Sequence, residues 1–187
     1  MQFIKLTYLC KTIKDQKEMK KRYYSFVVFI LFCLAGNAQE MLFDDFYFKM
    51  DFFEAKKILK SNKKKLTNLA LGKGTVYAVR KRSLVSEENK LISINLWSKK
   101  NLTVKEAEKY LVISRKFFEN NNYNTVYAQE NWSNPILVKK NLPCIRFVDK
   151  DKTIVVEFDP RGQGDAYNIF VTYYNYDWFL KKARGEE

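Results

Sequence analysis

The chain contains no histidine. A Ser-His-Asp or Cys-His catalytic pair is therefore excluded, as is a histidine-ligated zinc or iron site. Cysteine is nearly as scarce, at three residues. Cys10 and Cys33 precede residue 39, and Cys144 is the one cysteine after it. No disulfide and no cysteine metal cluster can form within residues 39–187, so packing alone must hold that region together. Cys144 lies in the run Leu142-Pro143-Cys144-Ile145 and reads as a small buried hydrophobe. No metal site and no cofactor is expected.

Long apolar runs are missing too. The uncharged run Tyr23 to Ala38 has 16 residues, short of the ~20 that cross a bilayer as a helix. Lys20, Lys21 and Arg22 precede it, and Ala35, Gly36, Asn37 and Ala38 close it. A charged start, a short apolar centre and a small-residue exit make a secretory signal peptide. Gly36 and Ala38 stand where the peptidase requires small side chains, which places cleavage between Ala38 and Gln39. The junction resembles bacterial signal peptides ending in Asn-Ala-Gln. Cys33 follows Phe32 inside the apolar run, which argues against a lipoprotein signal. Residues 1–18 have no clear periodicity and are read as an upstream extension outside the fold, Met19 being the better start. The expected organisation is 1–18 extension, 19–38 signal peptide and 39–187 a single domain, with no transmembrane span in the mature chain and a periplasmic or secreted location.

The chain has 34 basic and 21 acidic residues. Residues 1–38 hold 7 and 2 of them, leaving 27 and 19, a net of +8, in residues 39–187. Such a mixed basic surface favours anionic partners in general without selecting one.

Two helices carry N-terminal capping signals. Asp51-Phe52-Phe53-Glu54 opens the first, with Phe52, Ala55, Ile58, Leu59, Leu66 and Leu69 as its apolar face and Lys56, Lys57, Lys60, Lys63, Lys64 and Lys65 largely opposite. Thr103-Val104-Lys105-Glu106 opens the second, which runs to Asn120-Asn121-Asn122. Strands are expected at 41–49, 75–82, 91–98 and 123–130, and at 144–149, 153–159 and 167–176 as a meander. Ile92, Ile94 and Leu96 are expected on one face of their strand. Residues 83–90, 131–141 and 159–165 are expected as loops or turns, and the tail after Phe179 as frayed.

Cap, Glu-Ala, Lys and Leu recur between 50–59 and 102–111, and Thr-Val-Tyr-Ala recurs at 75–78 and 125–128. The expected class is α+β, an antiparallel sheet with two helices on one face. Its core is either a duplicated βαβ, ferredoxin-like unit extended by the C-terminal meander, or two tandem helix-plus-meander halves. The second arrangement is similar in element order to the β-lactamase-inhibitor-protein type of periplasmic binding module.

Several features suggest chemistry. The lysine cluster at 56–65 could hold phosphate or anionic polysaccharide, or serve as a solvated helix face. Nucleic acid is not expected, because the helix aromatics fall on the core side. Arg161-Gly162-Gln163-Gly164 lacks the Lys-Ser/Thr of a phosphate loop and reads as a turn. Asp149 begins no EF-hand, since Ile154 stands where glycine is required. Glu157 and Asp159 share one side of a strand and are the candidates for a histidine-free hydrolase using paired carboxylates. Trp132, Tyr174, Tyr176 and Trp178 belong to an aromatic-rich C-terminal region and are the candidates for ligand contact. The best-supported role is a binding or interaction module of the cell envelope, its partner an unidentified protein, saccharide or envelope ligand.

Overall fold

The computed structural model describes residues 40–128, 135–140 and 145–186. All of them lie in the unit running from Gln39 to Glu187. The expected signal peptide with its Ala38–Gln39 junction, Trp132 and Cys144 lie outside the described residues. No helix among the described residues is long and apolar enough to cross a membrane.

The fold is α+β with a C-terminal strand meander. Its strands are β1 (Met41–Phe43), β2 (Phe46–Tyr47), β3 (Tyr77–Ala78), β4 (Leu84–Glu87), β5 (Lys90–Ser98), β6 (Tyr123–Ala128), β7 (Ile145–Asp149), β8 (Ile154–Gln163) and β9 (Ala166–Asn175). The helices are α1 (Phe52–Ser61), α2 (Lys63–Leu66), α3 (Val104–Asn120), α4 (Pro135–Lys139) and α5 (Tyr176–Arg184), with a 3-10 turn at Lys81–Ser83. β1 and β2 form a small hairpin. The main sheet has the order β3-β5-β9-β8-β7-β6, with β4 also paired to β5.

Every named pair is antiparallel. In a ferredoxin-like core the strands flanking each helix lie in one sheet with a single strand between them. Here β2 belongs to a separate hairpin, and β5 and β6 are separated by three strands, so the helix-plus-meander order is the arrangement adopted. In each half a helix leads to an edge strand, β3 or β6, and the chain then works inward. The halves meet where their last strands, β5 and β9, pair through Asn95↔Thr172 and Leu96↔Val171. The recurring tetrapeptides thus occupy the two opposite edges of the sheet.

One face of the sheet carries the core. Ile94 and Leu96 of β5, Phe147 of β7, Val156 and Phe158 of β8, and Ile169, Val171 and Tyr173 of β9 meet Ala55, Leu66, Ala107, Leu111 and Phe118 from the helices. A bulge in the β4–β5 ladder, between the Val85↔Ser93 and Ser86↔Leu91 pairs, changes the alternation. Leu91 therefore joins the core, and Ile92, expected beside Ile94, falls outside it.

Both helix caps form. Asp51 accepts from the Phe53 and Glu54 amides at 2.9 and 3.2 Å. Thr103 and Glu106 close a reciprocal box: the Thr103 amide donates to Glu106 at 2.9 Å, and the Glu106 amide donates to the Thr103 hydroxyl at 3.3 Å. The Lys100 ammonium, first, and the Thr103 donors, second, hold the Glu106 carboxyl at about 2, below its ordinary 4.5. A carboxyl depressed in the folded state favours folding above its unfolded value, and that contribution fades as pH falls from 4.5 towards about 2. Glu106→Gln should therefore lower the urea midpoint at pH 6 and leave it little changed near pH 2. Thr103→Ala should cost about 1 kcal/mol at neutral pH.

Several expected loops are ordered elements instead. The 83–90 loop is largely strand β4, closed by a two-residue turn at Glu88 and Asn89, whose φ values are +48° and +60°. That geometry matches a twisted hairpin, and Asn tolerates it. The 75–82 strand is cut to Tyr77–Ala78 by the 3-10 turn after Arg80. Within 131–141 a short helix starts at Pro135, a residue preorganised for a first helical position. The tail after Phe179 continues α5, capped at the front by Asn175 and at the back by left-handed Gly185.

The expected turn 159–165 shrinks to Gly164 and Asp165, because β8 continues to Gln163. Pro160 pairs with Ile169 of β9, two residues beyond the last described β7 pair, Ile145↔Phe158. Gly162 is required by close approach: a Cβ would lie 2.2 Å from the Ala166 carbonyl oxygen. Gly162→Ala should push the β8–β9 hairpin apart at a cost of about 1–3 kcal/mol, read as a lower urea midpoint.

Candidate functional site

The face of the sheet opposite the core is aromatic and polar. Helix α5 covers one end of it, with Trp178 stacked on Tyr174 at 5.9 Å and Phe179 tilted against the same ring at 5.4 Å. Tyr174 and Trp178 are thus brought together, but as packing between strand and helix. Tyr176 is the first residue of α5, and its amide donates to the Thr153 carbonyl at 2.9 Å. Trp132, the fourth candidate, lies outside the described residues.

Glu157 and Asp159 do share this face, as the alternation of β8 requires. Each is held by an arginine. Arg146 Nε donates to Glu157 at 2.9 Å, and Arg161 Nε donates to Asp159 at 2.6 Å. Burial raises the Asp159 carboxyl, and the Arg161 guanidinium opposes that rise. The arginines also cap aromatic rings. Arg161 lies 5.1 Å over Phe170, Phe170 lies 4.6 Å from Trp97, and Arg80 lies 5.6 Å over Trp97. Thr172 donates to Asn95 at 2.6 Å. The polar groups of this face are largely satisfied by one another, so it reads as a structural surface.

A different arrangement occurs where α1 and α2 meet the chain between β3 and the 3-10 turn. A cleft of about 420 Å³ opens there. Its helical wall is Leu59 with Lys56, Lys60, Lys63 and Thr67. Its other wall is Val79, Arg80 and Lys81. Although five of these residues are cationic, nearly all of the exposed wall is carbon. Lysine and arginine line it with their methylene stems and carry their charges outward.

Local sequence sets this geometry. The Asp51 cap fixes the start of α1, and Lys56 and Lys60, four residues apart, then fall on one side of it. Asn62 breaks the helix, and α2 restarts at Lys63. The second wall is tied to α2 by the Val79 amide, which donates to the Leu66 carbonyl at 2.8 Å. Arg80 is steadied by the Lys99 carbonyl at 3.3 Å, and its amide donates to Ser83 at 2.8 Å. Thr67 donates back to the Lys63 carbonyl at 2.9 Å. Both walls are therefore fixed before any ligand arrives.

The charges of this cleft are not neutralised by ion pairs among the described residues. None of its lining residues is acidic. Among the described residues, the ion pairs engage Lys65, Lys100, Arg115, Arg146, Arg161, Lys182 and Arg184, and none of the five cleft cations. Lys65 of the same cluster bonds Asp44 at 2.6 Å, and that bond raises its ammonium above the ordinary range. Lys56 lies 4.1 Å over the Phe52 ring.

Trp178 lines a second, larger cleft of about 740 Å³ with Lys49, Glu87, Glu88, Lys90 and Ile92. Cations and carboxylates are mixed there, and Lys182 approaches Glu87 at 3.6 Å. Neither Glu157 nor Asp159 lines this cleft or the cationic one.

The lysine cluster of the cationic cleft is visible in the sequence. Its far wall, Val79-Arg80-Lys81, is not, because only the tertiary fold brings it opposite α1. Comparison with protein-family models, with curated proteins and with solved structures finds no match.

Proposed function

We propose that residues 39–187 form an exported binding module of the cell envelope whose ligand sits in the cleft between α1–α2 and Val79–Lys81 and carries negative charge. The observation behind this reading is an apolar cleft lined by five cationic side chains, none of which is ion-paired among the described residues. Like charges held together repel, so an anion is the partner that relieves them. The wall favours a ligand with apolar surface as well. The export half of the reading rests on the sequence pattern of residues 19–38.

A small apolar anion tests the binding half. Anilinonaphthalene sulfonate should bind the native protein saturably, one per chain, and Lys60→Glu/Lys81→Glu should abolish that fluorescence at an unfolding midpoint no lower than that of the wild type. Equal fluorescence in both proteins would overturn the assignment of the cleft. Intact mass of the protein recovered from the periplasm or medium tests the export half. A chain beginning at Gln39 is expected, and a cytosolic product retaining residues 19–38 would overturn it.

A further inference from the structure

We infer that the ligand of the cationic cleft is a free single-chain amphiphile with an anionic headgroup, such as an alkyl phosphate or fatty acid. The inference rests on the anion-binding reading above and narrows it to one chemical class.

The composition of the cleft favours an anion with apolar surface over a fully hydrated one. A bare phosphate or a sulfated saccharide keeps its charge only by exchanging water for hydrogen-bond donors. The surface inside this cleft is nearly all carbon and offers few of them. A saccharide would also need an open aromatic face to stack on. No aromatic ring lines the cleft; Phe52 and Phe53 beside it lie under Lys56 at 4.1 and 5.3 Å. An acyl chain needs neither. It buries methylenes against Leu59, Val79 and the lysine stems, and each methylene removed from water strengthens binding.

The rim selects the headgroup. A neutral chain would fill the wall and leave the charges that Lys60, Lys63 and Lys81 carry at the rim without a counter-ion. A phosphate or carboxylate at the mouth accepts from them by charge-assisted bonds.

Size selects a single chain. The cleft, at about 420 Å³, lies within the roughly 300–1,000 Å³ typical of small-molecule sites. A protein partner would need a surface of about 1,000 Å² or more in total, far beyond this opening. The concave shape suits a chain that leaves water alone, whereas a bilayer surface presents headgroups to a flat or convex patch.

Isothermal titration of the folded protein, residues 39–187, with octyl, nonyl and decyl phosphate below their micelle concentrations tests this. Binding of one molecule per chain is expected, tightening by about fourfold for each added methylene. Lys60→Glu/Lys81→Glu should weaken decyl phosphate at least tenfold. Lys57→Glu/Lys64→Glu makes the same change in net charge at lysines that do not line the cleft, and should weaken it less than threefold. Circular dichroism confirms that each variant is folded, and a variant that is not is replaced by Lys60→Met/Lys81→Met, which keeps the stems and should still weaken binding.

Inorganic phosphate binding as tightly as decyl phosphate would overturn the amphiphile class and leave the anion-binding cleft standing. Decyl maltoside binding as tightly as decyl phosphate would overturn both. So would the absence of saturable binding, or an equal loss in the control variant. Sedimentation with phosphatidylglycerol vesicles that decyl phosphate fails to reverse would replace the free amphiphile by a membrane surface.

Discussion

Phe118→Ala should lower the free energy of unfolding by about 3–5 kcal/mol, read from the urea midpoint of residues 39–187. Phe118 is 1% exposed and stands at the C-terminal end of α3. Its ring lies 5.2 Å from Phe147, 5.4 Å from Phe158 and 4.9 Å from Tyr123. One side chain thus joins the long helix to β7, β8 and the start of the edge strand β6. Tyr173 of β9 approaches it at 6.2 Å. Removing the ring takes away its transfer energy and leaves a cavity that four other rings are too rigid to fill. With no disulfide within residues 39–187 to limit unfolding, a loss of this size is a large part of a typical domain's total stability. A loss below 1 kcal/mol would show that α3 is not the central support of the sheet.

The second large effect concerns the cleft. In Lys60→Glu/Lys81→Glu, one carboxylate is placed on each wall, so the local charge changes by four units. Binding of an anionic amphiphile should fall at least tenfold, about 1.4 kcal/mol or more. Stability should hold or rise, because two repelling cations become attractive partners for Lys56, Lys63 and Arg80 across the cleft. Wild-type affinity should also fall as salt is raised from 50 to 500 mM, and the residual affinity of the variant should not. Undiminished binding in the folded variant would show that these lysines do not hold the ligand.

Local chemistry made much of the fold legible in the sequence. Asp51 and Thr103 announce their helices because capping uses side chains within three residues of one another. The alternation Ile154, Val156, Phe158 against Val155, Glu157, Asp159 separates the two faces of β8 without any knowledge of its neighbours. Errors arose where the cause was non-local. The β4–β5 bulge exchanged Leu91 for Ile92 because of its pairing partner, not its own residue type. Pro160 and Gly162 read as turn residues, yet both continue a strand, one where the described β7 pairing has ended and one where Ala166 leaves no room for a Cβ. The aromatic C-terminus read as one long strand and a frayed tail because Tyr, Phe and Trp favour strands. Asn175 begins a helix there by capping the Trp178 amide at 2.9 Å.

The candidate site divides in the same way. Six lysines between residues 56 and 65 were visible as charge, but charge alone does not separate a wetted helix face from a binding wall. Val79 and Lys81 make that distinction, and the Val79–Leu66 bond ties their segment to the end of α2. Glu157 and Asp159 were correctly placed side by side, but Arg146 and Arg161, which engage them, come from another strand and from two residues further along the same one.

Amide chemical-shift mapping of folded residues 39–187 titrated with decyl phosphate tests the cationic cleft most directly. Saturable shifts concentrated at residues 56–67 and 79–81 are the predicted result. Shifts concentrated instead around Lys49, Glu87, Lys90 and Trp178, or spread evenly over the surface lysines, would contradict it.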